Sequence, residues 1–194
     1  LLEPVDTGEP GMRMGMKLAG DYRPGEGLLD VAQIGISGSS GAATGNASMQ
    51  FPEVGPPGIQ LALNVDGMAV SEVKQLWPWF AAESSRRWVN ANLFGGSVPE
   101  GLIELKVRPG RLGNGQPLGN EEVSGHFKVA ATRFDTTGLL PPIRDATGVV
   151  SFAGDDVEIT LDRGTAFLPS GKPVLAERGR LVIDNARVSP ILGR

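Results

Sequence analysis

The chain has 194 residues with 28 glycines, 15 prolines and no cysteine, and carries a formal net charge of −4 with a pI near 5.1. That length can bury a real core, and a Gly/Pro excess spread between apolar runs reads as many short strands and turns, short of a disordered composition. The missing cysteines exclude a disulfide framework, thiolate metal sites and a Cys nucleophile; no basic stripe suggests nucleic acid, and no apolar run approaches the ~20 residues of a membrane span. The chain opens on Leu1, and the expectation is a piece of something longer, with any membrane anchor outside it.

The first element is MRMGMKL, where Met12, Met14, Met16 and Leu18 share one face at period two, a half-buried strand. In GLLDVAQIGISGSSG the alternation sets Leu29 and Val31 on one face and Ala32, Ile34 and Ile36 on the other, as in a strand covered on both sides. GIQLALNVDG alternates cleanly, with Ile59, Leu61, Leu63 and Val65 against Gln60, Ala62, Asn64 and Asp66.

The only strong helix signal follows, in the stretch that holds all three tryptophans. Ser71 is a good N-cap for a short turn through Leu76. Pro78 suits the first turn of a second helix, because its missing N–H costs nothing there. Phe80, Ser84, Trp88 and Ala91 recur at helical spacing, Trp77 and Leu93 extend the stripe, and Arg86, Arg87 and Asn90 fall mostly off it. Gly95-Gly96 is a stop. The pattern predicts one amphipathic helix near residues 78–93.

Strands then resume. GLIELKVRPG alternates Ile103, Leu105 and Val107 against Glu104, Lys106 and Arg108. VSGHFKVAATRFD sets Phe127, Val129 and Ala131 against His126, Lys128, Ala130, Thr132 and Phe134. GVVSFAGDDVEITLDRG reads as a hairpin, with Gly154-Asp155 turning Val149–Phe152 into Val157–Leu161. GRLVIDNARVSP closes a set of eight to ten strands, and no alternating strand–helix pattern points to a parallel sheet. Gly58–Val73 and Gly179–Ile191 share a Gly–strand–Asn/Asp–Val-Ser pattern, the trace of an internal repeat.

No catalytic constellation stands out. His126 is the only histidine and lies mid-strand beside Lys128, as a surface or edge residue does. Gly35–Asn46 lacks the lysine of a phosphate loop and the spacing of a nucleophile elbow. Asp155, Asp156 and Glu158 sit beside a turn without a twelve-residue calcium loop. Glu121-Glu122 is a loop charge pair, and Asn46-Ala47-Ser48 is a formal sequon of a kind common by chance. Neither metal nor cofactor is expected. What remains is the amount of aliphatic strand face. It has two readings: a sandwich or barrel core with each face packed on another, or a curved sheet whose concave face holds a hydrophobic ligand.

The segment VKQLWPWFAAESSRRWVNANLFGGSVPEGLIELK resembles the AsmA-like family of large bacterial envelope proteins, the TamB–YhdP group, through Trp77-Pro78, Arg87-Trp88, Asn92-Leu93, Gly95-Gly96 and Val98. The tail is similar through Leu140-Pro141-Pro142-Ile143, Gly148-Val149, Phe152 and Gly154. The resemblance covers roughly residues 73–185, and its motifs mark repeats, not a catalytic site. It implies a non-enzymatic periplasmic segment of an inner-membrane-anchored protein, with a long β groove along which acyl chains pass between membranes. The expected partners are a phospholipid or other acyl-chain ligand and neighbouring repeats. The rival is a structural or protein-interaction β module of the same envelope.

The resulting expectation is an all-β-dominated fold: a curved, mostly antiparallel sheet, as a groove or half-open roll, with one short helix. Residues 1–70 form a first β segment, 71–96 a helical insert and 97–194 a second β segment. Ile59, Leu61, Leu63, Ile103, Leu105, Val107, Phe127 and Val129 are the groove-lining candidates. Trp77, Phe80, Trp88 and Leu93 are expected to dock the helix on the sheet, leaving Arg86 and Arg87 in water.

Overall fold

A computed structural model describes residues 13–78, 80–135 and 141–184. Met12, Trp79, Leu140 and the part of the repeat beyond Asp184 lie outside the described residues.

The period-two segments become strands of one antiparallel sheet. They are β1 (Gly15–Arg23), β2 (Leu28–Ser37), β3 (Ala42–Gln50), β4 (Gly58–Ala69), β5 (Leu93–Phe94), β6 (Ser97–Val107), β7 (Val123–Phe134), β8 (Ile143–Ala153), β9 (Asp156–Phe167) and β10 (Pro173–Ile183). The order across the sheet is β1-β2-β3-β4-β6-β7-β8-β9-β10, with β5 pairing on the end of β7. The path is a linear meander that stays open, because β1 and β10 do not pair. The two β segments on either side of the helical insert are therefore joined into one sheet, at the β4–β6 ladder.

Between β4 and β6 lie two short helices in place of the single one expected over 78–93: α1 (Val70–Leu76) and α2 (Glu83–Asn92). Pro78 precedes a turn at Phe80, and Ala82 takes a left-handed backbone (φ 49°) that delays α2 to Glu83. Leu93 is already extended and opens β5. Ala69, not Ser71, is the N-cap of α1, and the Glu72 carboxylate reaches back to its N–H at 3.1 Å.

Strand register puts two apolar rows across the whole sheet. One runs Leu18–Ile34–Gly45–Leu63–Ile103–Gly125–Phe152–Val157–Ile183. The next runs Met16–Ile36–Ala43–Val65–Gly101–Phe127–Val150–Ile159–Leu181. The opposite face carries Asn64, Glu104, Lys106, His126, Lys128, Ser151, Glu158 and Arg180, so the sheet is oily on one side and polar on the other.

Two bulges change the faces that simple alternation assigns. A register shift between Val31 and Ile34 brings Leu29, Val31, Ile34 and Ile36 all onto the apolar face, through their partners Met49, Ala47, Gly45 and Ala43. In β7, Ala131 adopts φ 53°, and Thr132 and Phe134 rotate onto the apolar face, where both are buried. Each extra residue adds a bend and a twist to its strand.

The bending has a measurable consequence. The Ser85 hydroxyl near the start of α2 donates to the Gly154 carbonyl, and the Gly154 N–H bonds Val123 at the start of β7. At the other end of α2, the Asn92 carbonyl accepts the N–H of Asp135, just past the end of β7. A straight strand from 123 to 135 would span about 40 Å, whereas the helix from 85 to 92 rises about 10 Å. The sheet therefore curls around α2, and the apolar face is the concave one.

Candidate functional site

The concave face is oily because β2, β4 and β6–β10 place branched or aromatic residues on it while β3 contributes Ala43, Gly45, Ala47 and Met49, and glycines open space for the largest. A Cβ on Gly125 would collide with the rings of Phe152 and Phe127, and one on Gly101 with Phe127. The two phenylalanines thus lie over glycine gaps in the neighbouring strands. Their ring centroids are 6.3 Å apart and nearly parallel.

The helical insert fills the middle of this concavity. Trp77 stacks on Phe152 with centroids 4.1 Å apart, and its indole N–H donates to the Ala81 carbonyl at 2.8 Å. Trp88 packs against Phe134 at 5.8 Å. Trp77, Trp88 and Leu93 are buried, and Phe80 is half-buried against the same core. From the β6–β7 loop, Leu118 and Leu112 join the cluster. That loop is held by Arg111, which bonds the Glu122 carboxylate and the carbonyls of Gln116 and Pro117.

The eight groove-lining positions divide accordingly. Leu63, Ile103, Leu105, Val107, Phe127 and Val129 are buried, with Leu105 only 2% exposed. These six are core positions within the folded chain, because helix and loop side chains cover the centre of the concave face. Ile59 and Leu61 are half-buried. Uncovered apolar surface lies instead towards the first strands. Met16 and Leu18 are each 62% exposed, Tyr22 and Phe51 are exposed and meet edge to face, and Leu29, Val31 and Met49 are half-buried. Sequence alternation does signal Met16 and Leu18 as apolar; what it lacks is where the covering layer ends. A smaller uncovered set, with Val174 and Leu175, lies on β10.

The insert also buries charge. Glu72 is 3% exposed and accepts from the Ser39 N–H (2.6 Å), the Ser39 hydroxyl (2.7 Å) and the Ala69 N–H, which ties α1 to the β2–β3 turn. Burial pushes its carboxyl up, but these donors outweigh that and leave it below the ordinary carboxylate value. Lys74 is 2% exposed; its ammonium donates to the Asn90 carbonyl at 3.3 Å and lies 4.7 Å over the Phe94 ring. Arg87 is in water, paired with Glu83 at 2.7 Å. Arg86, expected there too, is instead buried at 8% exposure between the helix and its surroundings.

The polar convex face carries ordinary surface pairs: Lys128–Glu100 at 2.6 Å and Arg180–Glu158 at 2.7 Å. His126 is exposed there and meets the Ser151 hydroxyl at 3.0 Å, with no carboxylate bonded to the ring among the described residues. Among the described residues no three His, Asp or Glu groups converge on a metal-sized site, and no helix is long and apolar enough to cross a membrane.

No family model, curated protein or solved structure matches the chain.

Proposed function

We propose that the protein is a non-enzymatic β-groove segment of the bacterial envelope that shelters acyl chains of phospholipid along its concave face. The observation that carries this reading is the continuation of the apolar rows past the helical layer onto β1–β3, where Met16, Leu18, Tyr22 and the nearby Phe51 are exposed. A chain of about fifteen methylenes gains on the order of 12 kcal/mol by leaving water. A strip of aliphatic side chains without fixed polar anchors holds such a chain while letting it slide. The resemblance to AsmA-like proteins supplies the periplasmic setting, the inner-membrane anchor elsewhere in the protein and transfer between the two membranes.

A second reading, a structural or protein-interaction module, is favoured by the six sealed positions from Leu63 to Val129. In that case the strip along β1–β3 is covered by a neighbouring repeat of the same protein. Mass spectrometry of lipid retained by the purified chain, with uptake of a fluorescent fatty acid, separates the two. Stoichiometric phospholipid, or saturable uptake lost on Leu18→Asp, supports the groove; a lipid-free protein that ignores the probe leaves the structural module.

A further inference from the structure

Three charged residues are buried among those described: Glu72, Lys74 and Arg86. Glu72 is fully engaged by Ser39 and Ala69. The carboxylate acting on Arg86 is Glu83, and its oxygen accepts from Arg87 on the solvent side. Arg86 Nε is buried without a hydrogen-bond partner, and so is Asn90 Oδ1. Residues four apart on a helix are neighbours on one face, so both orphans belong to one stretch of α2. Trp88 Nε1 is orphaned too, but it lies two positions from either, on the side that packs on Phe134.

A guanidinium held at this depth with its Nε unpartnered is costly, because removing a charge from water is repaid only by a well-placed counter-charge. Burial accordingly pushes the Arg86 guanidinium below its ordinary value, and Glu83 only partly offsets this. The guanidinium fork matches a carboxylate or phosphate with two parallel N–H···O bonds. Turning the Asn90 amide over exchanges its orphaned oxygen for an N–H₂ donor.

We propose that the α2 face bearing Arg86 and Asn90 binds an oxyanion, a carboxylate or a phosphate, whose negative charge meets the Arg86 guanidinium. The site stands independently of the acyl-chain reading, and the anion can be free or the head of an amphiphile.

The test measures melting temperature and calorimetric binding on the full chain with four probes: inorganic phosphate, acetate, dodecyl phosphate and dodecanoate. The wild type should show a saturable rise in melting temperature with at least one. Arg86→Met should bind that probe at least about tenfold more weakly, yet be no less stable than wild type in its absence, since it removes a buried charge whose Nε is unpartnered. Arg86→Lys keeps the charge, loses the fork and should also bind more weakly; it provides the comparison if the methionine variant does not fold. Binding of phosphate or acetate identifies a free-anion site; binding of the dodecyl probes alone identifies a headgroup site. Generic salt stabilisation raises wild type and variants equally. An equal response in all three proteins, or no saturable response to any probe, overturns the proposal. Failure of the fluorescent fatty acid to bind, with phosphate binding intact, would remove only the acyl-chain reading.

Discussion

The indole of Trp77 lies flat on the ring of Phe152, with centroids 4.1 Å apart and planes inclined by 21°. This contact joins the linker between the two helices to the centre of the concave face. The same Phe152 lies over the gap left by Gly125 on the adjoining strand. Helical layer, sheet and glycine spacing thus meet at one ring.

Removing the indole should therefore uncouple the insert from the sheet. Trp77→Ala and Trp88→Ala are each expected to cost about 3–5 kcal/mol, as for large buried aromatics. Urea unfolding followed by far-UV circular dichroism measures this. A loss under about 1 kcal/mol would mean that the helices are not docked.

Gly125→Ala tests the same junction from the opposite side. The new methyl group would run into the Phe152 and Phe127 rings, and Phe152 cannot retreat because Trp77 covers it. The expected cost is about 1–3 kcal/mol of overpacking. Combining Gly125→Ala with Phe152→Leu should recover part of it, which denaturation of the double variant would show.

Two aspartate substitutions separate core from open trough. Leu105→Asp buries a carboxylate without a partner and should unfold the chain or cost several kcal/mol. Leu18→Asp sits at an exposed edge and should change stability by less than about 1 kcal/mol, while abolishing fatty-acid uptake. Equal stability loss in both would show that the first strand is covered in solution.

Glu72 sets an acid limit on stability. Its carboxyl is held below its ordinary value, so its contribution is complete above the unfolded-state pKa of about 4.3 and is lost as pH falls through the folded value. Glu72→Gln should cost about 1–3 kcal/mol at pH 7 and much less at pH 3. Urea midpoints at the two pH values provide the check; a gap of equal size at both would exclude the carboxylate charge as its cause.

Much of the sheet is legible in sequence because long stretches of β4, β6 and the β8–β9 hairpin alternate cleanly: Ile59 to Val65, Ile103 to Val107, and Val149 to Leu161 about the Gly154-Asp155 turn. The misassigned faces all follow an inserted residue. Period two cannot anticipate the shift between Val31 and Ile34, or Ala131 in a left-handed conformation that its side chain does not favour. Ala82 hides the break between the helices in the same way. The burial of Arg86 escapes the helical wheel because the wheel assumes one packing surface, whereas only Glu83, Arg87 and Ala91 of α2 are exposed. The sealing of Leu105 is likewise unreadable, since it depends on which side chains, such as Leu118 of the irregular β6–β7 loop, join the same cluster.

The hydrogen-bonded path has an odd number of members, each antiparallel to the next, so β1 and β10 point the same way. Two copies set side by side in one orientation would meet, β10 to β1, in a parallel seam. Half a turn about the sheet normal keeps the oily surfaces on a common side and makes the seam antiparallel, but it brings like edge to like edge. Any lateral assembly of this unit is thereby limited to two kinds of joint: a parallel one between unlike edges, repeated along a row, or an antiparallel one between like edges related by a twofold axis.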